Sequence, residues 1–175
     1  LHYSRSGRAP QALLLYGPPA VGRSAVARRL AQHLFCGSAE GSRPCGTCRG
    51  CRLVARGTHP DLLLMESPLK VEAVRELQRR LALAPVEASR HLAVLPDIDR
   101  ASAGAANSLL KTLEEPPPDA MLLLTASDAA AVLPTVRSRC QSMTLRALPT
   151  AAAAAILVQR LGLEPARADL LARLS

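Results

Sequence analysis

"ALLLYGPPAVGRSAVARRL" (Ala12–Leu30) decides the fold. Ala12–Tyr16 is continuously apolar, which suits a strand buried on both faces. From Gly17 the chain reads G-x-x-x-x-G-R-S, one residue away from the phosphate-binding pattern G-x-x-x-x-G-K-[ST]. A strand, a glycine-bounded loop and a helix in that order gather backbone N–H groups and a helix N-terminus around one point, which favours phosphate. The departure is Arg23. Lysine is a compact point charge that reaches β- and γ-phosphates, whereas arginine is a longer planar fork. Gly17, Gly22, Arg23 and Ser24 therefore form a degenerate nucleotide site. Ser24 offers a hydroxyl for Mg²⁺, while Arg23 weighs against ATP or ADP binding there.

Outward from this stretch, apolar runs alternate with helical patterns. Further strands are predicted over Asp61–Glu66, His91–Leu95, Ala120–Ala126 and Gln141–Arg146. Helices are predicted over Ser24–Phe35, Val71–Leu83 and Ala101–Leu113, the last stopped by "EEPPP". Continuous apolar strands alternating with helices imply an α/β fold: a parallel five-stranded sheet with helices on both faces. After "LPT" (Leu148–Thr150), Thr150 can cap a helix over Ala151–Leu161 that Gly162 ends, and another helix begins near Pro165. A boundary near Pro149 divides the chain into an α/β domain, 1–148, and the start of a helical one, 149–175.

Four of the five cysteines fall in one insertion, "CGSAEGSRPCGTCRGC", as C-x8-C-x2-C-x2-C. Short C-x2-C steps let neighbouring thiolates reach one tetrahedral ion, and Gly46 and Gly50 ease the turns. Cys36, Cys45, Cys48 and Cys51, without a nearby histidine, favour a closed structural zinc site within about 36–51. An iron–sulfur cluster and disulfides are the alternatives. Cys140 stands apart as a small buried residue.

Bulk properties narrow the classes. Of 175 residues 49% are apolar and 2% aromatic, so the core is built from Leu, Val, Ile and Ala. The formal charge of +8 suggests an anionic partner such as nucleic acid. An Arg- and Ala-rich chain with only Lys70 and Lys111 as lysines also reads as coding bias. No apolar run approaches the roughly 18–20 residues that span a membrane, and "LHYSRSGRAP" has no apolar signal region, so a cytoplasmic protein is expected. The chain starts without Met and ends within a helical pattern, so residues are expected on both sides.

"AANSLLKTLEEPP" (Ala105–Pro117) and "SRC" (Ser138–Cys140) carry a more specific signal. With the loop at Gly17 and the cysteine insertion behind its helix, they resemble the clamp-loader branch of the AAA+ proteins. Within it the chain most resembles the bacterial delta-prime family of DNA polymerase III, with the gamma/tau ATPases as near relatives. The resemblance implies an AAA+ domain followed by the start of a small helical lid, without the C-terminal collar, so that the fragment alone is a monomer. It places Pro96 where the family's Mg²⁺-binding aspartate belongs and Asp97 where the catalytic acid belongs. Ser127 falls on the sensor of the γ-phosphate. Arg139 falls on the arginine finger that acts in trans on a neighbour's ATP. The lysine and aspartate are lost while Arg139 is kept, as expected of a non-hydrolysing stator without ATPase activity of its own. The partners implied are the gamma/tau and delta subunits, with the sliding clamp and primer–template DNA reached through the complex. No membrane is involved.

Two other readings stay open at this point. One is an active gamma/tau-type ATPase, with Arg23 for lysine and Asp97 or Asp99 for the lost aspartate. The other is a zinc-containing DNA-binding module whose basic surface does the binding. The end of "KTLEEPP" opposes the helix dipole, which suggests that Glu114 and Glu115 pair with arginines across a subunit interface.

Overall fold

The computed structural model describes residues 10–174. Strands β1 (Ala12–Tyr16), β2 (Leu62–Leu64), β3 (His91–Leu95), β4 (Ala120–Ala126) and β5 (Gln141–Thr144) form one parallel sheet in the order β2-β3-β4-β1-β5. Composition follows position. The interior strand β4, AMLLLTA, is buried at every residue, and the edge strand β5, QSMT, is mostly exposed. An interior parallel strand is covered on both faces and is apolar throughout for that reason.

The pleat sends successive side chains to opposite faces. Leu13, Leu15, Met121 and Leu123 pack with Leu30, Phe35 and Val54, under α1 (Arg23–Leu34) and α2 (Arg49–Arg56). Leu14, Leu122 and Leu124 pack with Leu77 and Leu109, under α3 (Val71–Leu81) and α4 (Ala103–Glu114). A short α5 (Pro134–Arg137) closes this second layer through Val136. Beyond β5 come α6 (Thr150–Leu161) and α7 (Pro165–Leu174). No helix among the described residues is long and apolar enough to cross a membrane.

The predicted parallel sheet, flanked on both faces, is therefore present. Several ends differ, each for a local reason. The helix expected from Ala101 starts at Ala103, because Ser102 is its cap: the Ser102 hydroxyl accepts from the Ala105 N–H at 3.2 Å. Thr150 is the first residue of α6 rather than its cap, with Pro149 before it. Gly162 ends α6 as read, at φ 63°. β5 stops at Thr144, although the Leu145 N–H still donates to the Tyr16 carbonyl at 2.7 Å.

β2 is shorter than expected, Leu62–Leu64 rather than Asp61–Glu66, although the Asp61 carbonyl and the Met65 N–H still bond to β3; the Asp61 side chain has a separate role. It is fully buried, and its carboxylate accepts from the N–H groups of Val86 (2.6 Å), Glu87 (2.9 Å) and Ala88 (2.7 Å). Burial alone would raise its pKa. The three N–H donors and the nearby His91 outweigh that and hold it below its ordinary 3.8. A carboxyl with a depressed folded-state pKa contributes stability above its unfolded value, and the contribution is lost as pH falls through the folded value. Asp61→Ala is accordingly expected to cost about 2–4 kcal/mol near neutral pH, read from the urea midpoint. The difference from wild type should shrink as pH drops below 3.8.

β1, β3 and β4 run the same way, so the residues that follow them, Gly17, Pro96 and Ser127, meet at one rim of the sheet. That carboxyl-end rim is where open α/β sheets hold ligands.

Candidate functional site

The loop after β1 keeps the shape of a phosphate cradle. The Gly17 N–H donates to the Ala126 carbonyl at 3.2 Å, and a Cβ at this position would lie 2.3 Å from the Leu145 carbonyl oxygen. Only glycine fits between the ends of β4 and β5. Gly22, at φ 92°, turns the chain into α1. Ala20 holds φ 63° with a Cβ in place, a conformation that costs on the order of 1–2 kcal/mol for a residue other than glycine.

Arg23 is folded back into this cradle. Its side chain is only 14% exposed, with one Nη 3.5 Å from the Asp97 carboxylate and the other donating to Ser127 Oγ at 3.1 Å. The acceptors are themselves held. The Asp97 N–H donates to Thr125 Oγ1 at 3.1 Å, and the Ser127 N–H donates to Asp99 Oδ2 at 2.9 Å. Arg23, Asp97, Asp99 and Ser127 are thus brought together by the ends of β3 and β4. Ser24 is exposed, and it lines a cavity of about 260 Å³ with Pro96 and Thr125. Pro96, directly after β3, brings no carboxylate to this cavity, and the first one beyond it, Asp97, is the one that faces Arg23.

Arg139 lies on another part of the surface, two residues past α5. One Nη donates to the Thr135 carbonyl at 2.8 Å and to Ser138 Oγ at 3.4 Å. The other Nη donates to Glu114 Oε1 at 2.6 Å. Glu114, the last residue of α4, thus has an arginine within its own chain. A carboxylate at a helix C-terminus faces the negative end of the dipole, and the guanidinium offsets it. Cys140 is half-buried, and burial pushes its thiol up to about 11, in keeping with a small packing residue.

The four sulfurs of Cys36, Cys45, Cys48 and Cys51 all lie within 4.8 Å of one another. Zinc–thiolate bonds of about 2.3 Å in a tetrahedron require sulfurs about 3.8 Å apart, and Cys36 and Cys48 sit at 3.8 Å. Backbone N–H groups point at the sulfurs, from Cys45 to Cys36 (3.5 Å), Cys48 to Cys45 (3.3 Å) and Cys51 to Cys48 (3.4 Å). The Ser38 hydroxyl, then the Cys48 N–H, hold the Cys45 thiol down to about 5. Burial pushes Cys51 up to about 12. The residues fit a four-thiolate metal site. Cys48 also caps α2, so that helix and ligand set form one unit.

The module docks tightly. A Cβ on Gly50 would lie 2.0 Å from the Phe35 carbonyl oxygen, so α2 passes against the end of α1 at van der Waals contact. Phe35 stacks on His59 with ring centroids 4.1 Å apart, and Arg49 pairs with Glu87. Sequence reading missed α2, the Arg49–Glu87 pair and the partners of Arg23. The available signals for α2 were the apolar spacing of Cys51 and Val54, three residues apart, and Gly57 after Arg56 as a helix stop.

Comparison with known proteins agrees with this architecture. The family described as DNA polymerase III, delta subunit, matches residues 2–149. DNA polymerase III subunit delta-prime of Pseudomonas aeruginosa is 37% identical over 169 residues, 93% of this chain and 52% of that protein. Subunit tau of Escherichia coli is 35% identical over 144 residues, 81% of this chain and 22% of that protein. The chain spans about half the length of the delta-prime relatives it matches. A solved structure of a DNA polymerase III gamma subunit-related protein from Thermotoga maritima superposes with a TM-score of 0.68 at 20% identity, over 90% of this chain and 47% of that one. At that identity it speaks for the fold alone.

Proposed function

The chain belongs to the DNA polymerase III delta-prime family, and from that premise we propose that it is a clamp-loader subunit of DNA replication that hydrolyses no ATP itself. It presents Arg139 in trans to ATP held by a neighbouring gamma/tau-type subunit. It works in the cytoplasm beside a delta subunit, and it reaches the sliding clamp and primer–template DNA through the assembly. One observation carries this reading. The Arg23 guanidinium bridges Asp97 and Ser127, the two side chains that would otherwise attend a γ-phosphate and its metal. The cation that should meet a nucleotide is already satisfied by the protein.

The cysteine module is read as a structural zinc site. Zinc would close the insertion between α1 and β2 as a four-thiolate staple with no open coordination position. The boundary near Pro149 is read as the junction with a helical lid begun by α6 and α7.

Calorimetric titration of the purified protein with ATP and Mg²⁺, with phosphate release followed on the same sample, tests the central claim. No binding heat and no turnover are expected. Turnover that disappears on Ser24→Ala would sink the stator reading and make this chain an ATPase of the gamma/tau type, with Arg23 as a working substitute for lysine.

A further inference from the structure

We propose that Glu114 is a positioning residue for Arg139. It holds the guanidinium at the surface in the orientation in which it meets a neighbour's phosphoryl group. The inference rests on the trans-arginine reading above and adds to it the residue that aims the arginine.

An arginine presented to another subunit is of little use if it samples all its rotamers, since ordering the side chain at the moment of reaction costs roughly 2 kcal/mol. Preorganised donors avoid that cost. Arg139 is held at three points. The Thr135 carbonyl and Ser138 Oγ take one Nη, and Glu114 Oε1 takes the other. The first two belong to the same short turn as Arg139 itself. Glu114 alone comes from a different element, the end of α4, and so ties the arginine to the body of the domain.

The geometry leaves donors to spare. A guanidinium has five N–H groups, and these contacts engage three of them. The remaining two can meet phosphoryl oxygens without breaking the pair. Glu114 has its own reason to stay, because at the C-terminus of α4 its charge is unfavourable until the guanidinium arrives. The side chains are 35% and 50% exposed, accessible to a partner while still paired.

The test uses a clamp loader reconstituted with the full-length protein. Glu114→Ala is expected to lower kcat for ATP hydrolysis about tenfold and leave KM for ATP within about twofold, since an aim lost in the transition state shows in kcat. Glu114→Gln keeps an amide oxygen as acceptor and should recover turnover to within about threefold. Glu114→Ala combined with Arg139→Ala should be no slower than Arg139→Ala alone. If Arg139→Ala collapses turnover while Glu114→Ala matches or exceeds wild type, the positioning role is overturned and the trans-arginine reading survives. The same holds if the two substitutions slow the enzyme additively. It also holds if Glu114→Ala fails to enter the complex on size exclusion and Glu114→Gln does not restore entry. If Arg139→Ala leaves turnover intact, both readings fall.

Discussion

Replacing Arg139 with alanine is expected to lower the ATP turnover of the reconstituted clamp loader by at least about 10³-fold, without loss of subunits from the complex. The reasoning starts from charge. A γ-phosphoryl in transfer spreads negative charge over its equatorial oxygens, and a guanidinium set against them in a water-excluded seam is worth far more than in water. Arg139 is the candidate because it falls on the trans arginine of the family it resembles, and at the surface its two Nη groups meet the Thr135 carbonyl and Glu114. Arg23, by contrast, points inward, to Asp97 and Ser127. Arg139→Lys should recover only a small part of the loss, because an ammonium cannot present two parallel N–H groups or keep the Thr135 and Glu114 contacts while reaching out. Steady-state phosphate release and subunit composition by size exclusion measure both halves of this expectation. Turnover within about threefold of wild type for Arg139→Ala would remove the arginine from the reaction.

The second large effect concerns the metal. One equivalent of zinc is expected by elemental analysis, and its loss should dismantle the module. Structural zinc sites in small domains carry about 10–16 kcal/mol of apparent binding energy at neutral pH, much of it folding energy. Here the module is fused to the core. Val54 and Phe35 pack beside Leu30 and Leu123, so α2 cannot melt without exposing one layer of the sheet. Cys51→Ser, or prolonged chelation, should lower the thermal midpoint by about 10 °C or more, with loss of helical signal. Acid should act in the same direction. Metal binding needs thiolates, so Cys51, whose burial disfavours the charged form, must release its proton to the solvent on binding. Metal release should therefore set in as pH falls and thiolates are protonated. A protein that keeps its midpoint after complete metal removal would refute the staple.

The sheet was legible where burial alone sets the pattern. β3 and β4 match their apolar runs residue for residue, since an interior strand has no polar face to blur its ends. α2 was not legible. Its eight residues, RGCRLVAR, make only about two turns and carry three arginines, and its buried Cys51 and Val54, three apart, fall inside and just behind the cysteine ligand set, where the ligand spacing dominates the reading. The cysteine site could be read because its ligands are local in sequence. The fate of Arg23 could not, because its partner Ser127 lies 104 positions away and only the folded sheet brings the two together. The same holds for Glu114 and Arg139, separated by 25 positions and joined by the turn after β4.

The strand order has a consequence for how the protein is made. Of these five strands β1 leaves the ribosome first, yet it lies inside the sheet, and both its neighbours, β4 and β5, emerge last. At typical synthesis rates of about 5–20 residues per second, the nascent chain carries the unpaired edges of Leu13, Leu14 and Leu15 for roughly 5–20 s before Leu122 can meet Ala12. Such long-range parallel pairing is slow even once the partners exist. The cysteine module needs only sixteen neighbouring residues, Cys36 to Cys51, and can close as soon as they emerge. Closed on Phe35 early, the module would cover one face of the waiting strand until β4 emerges.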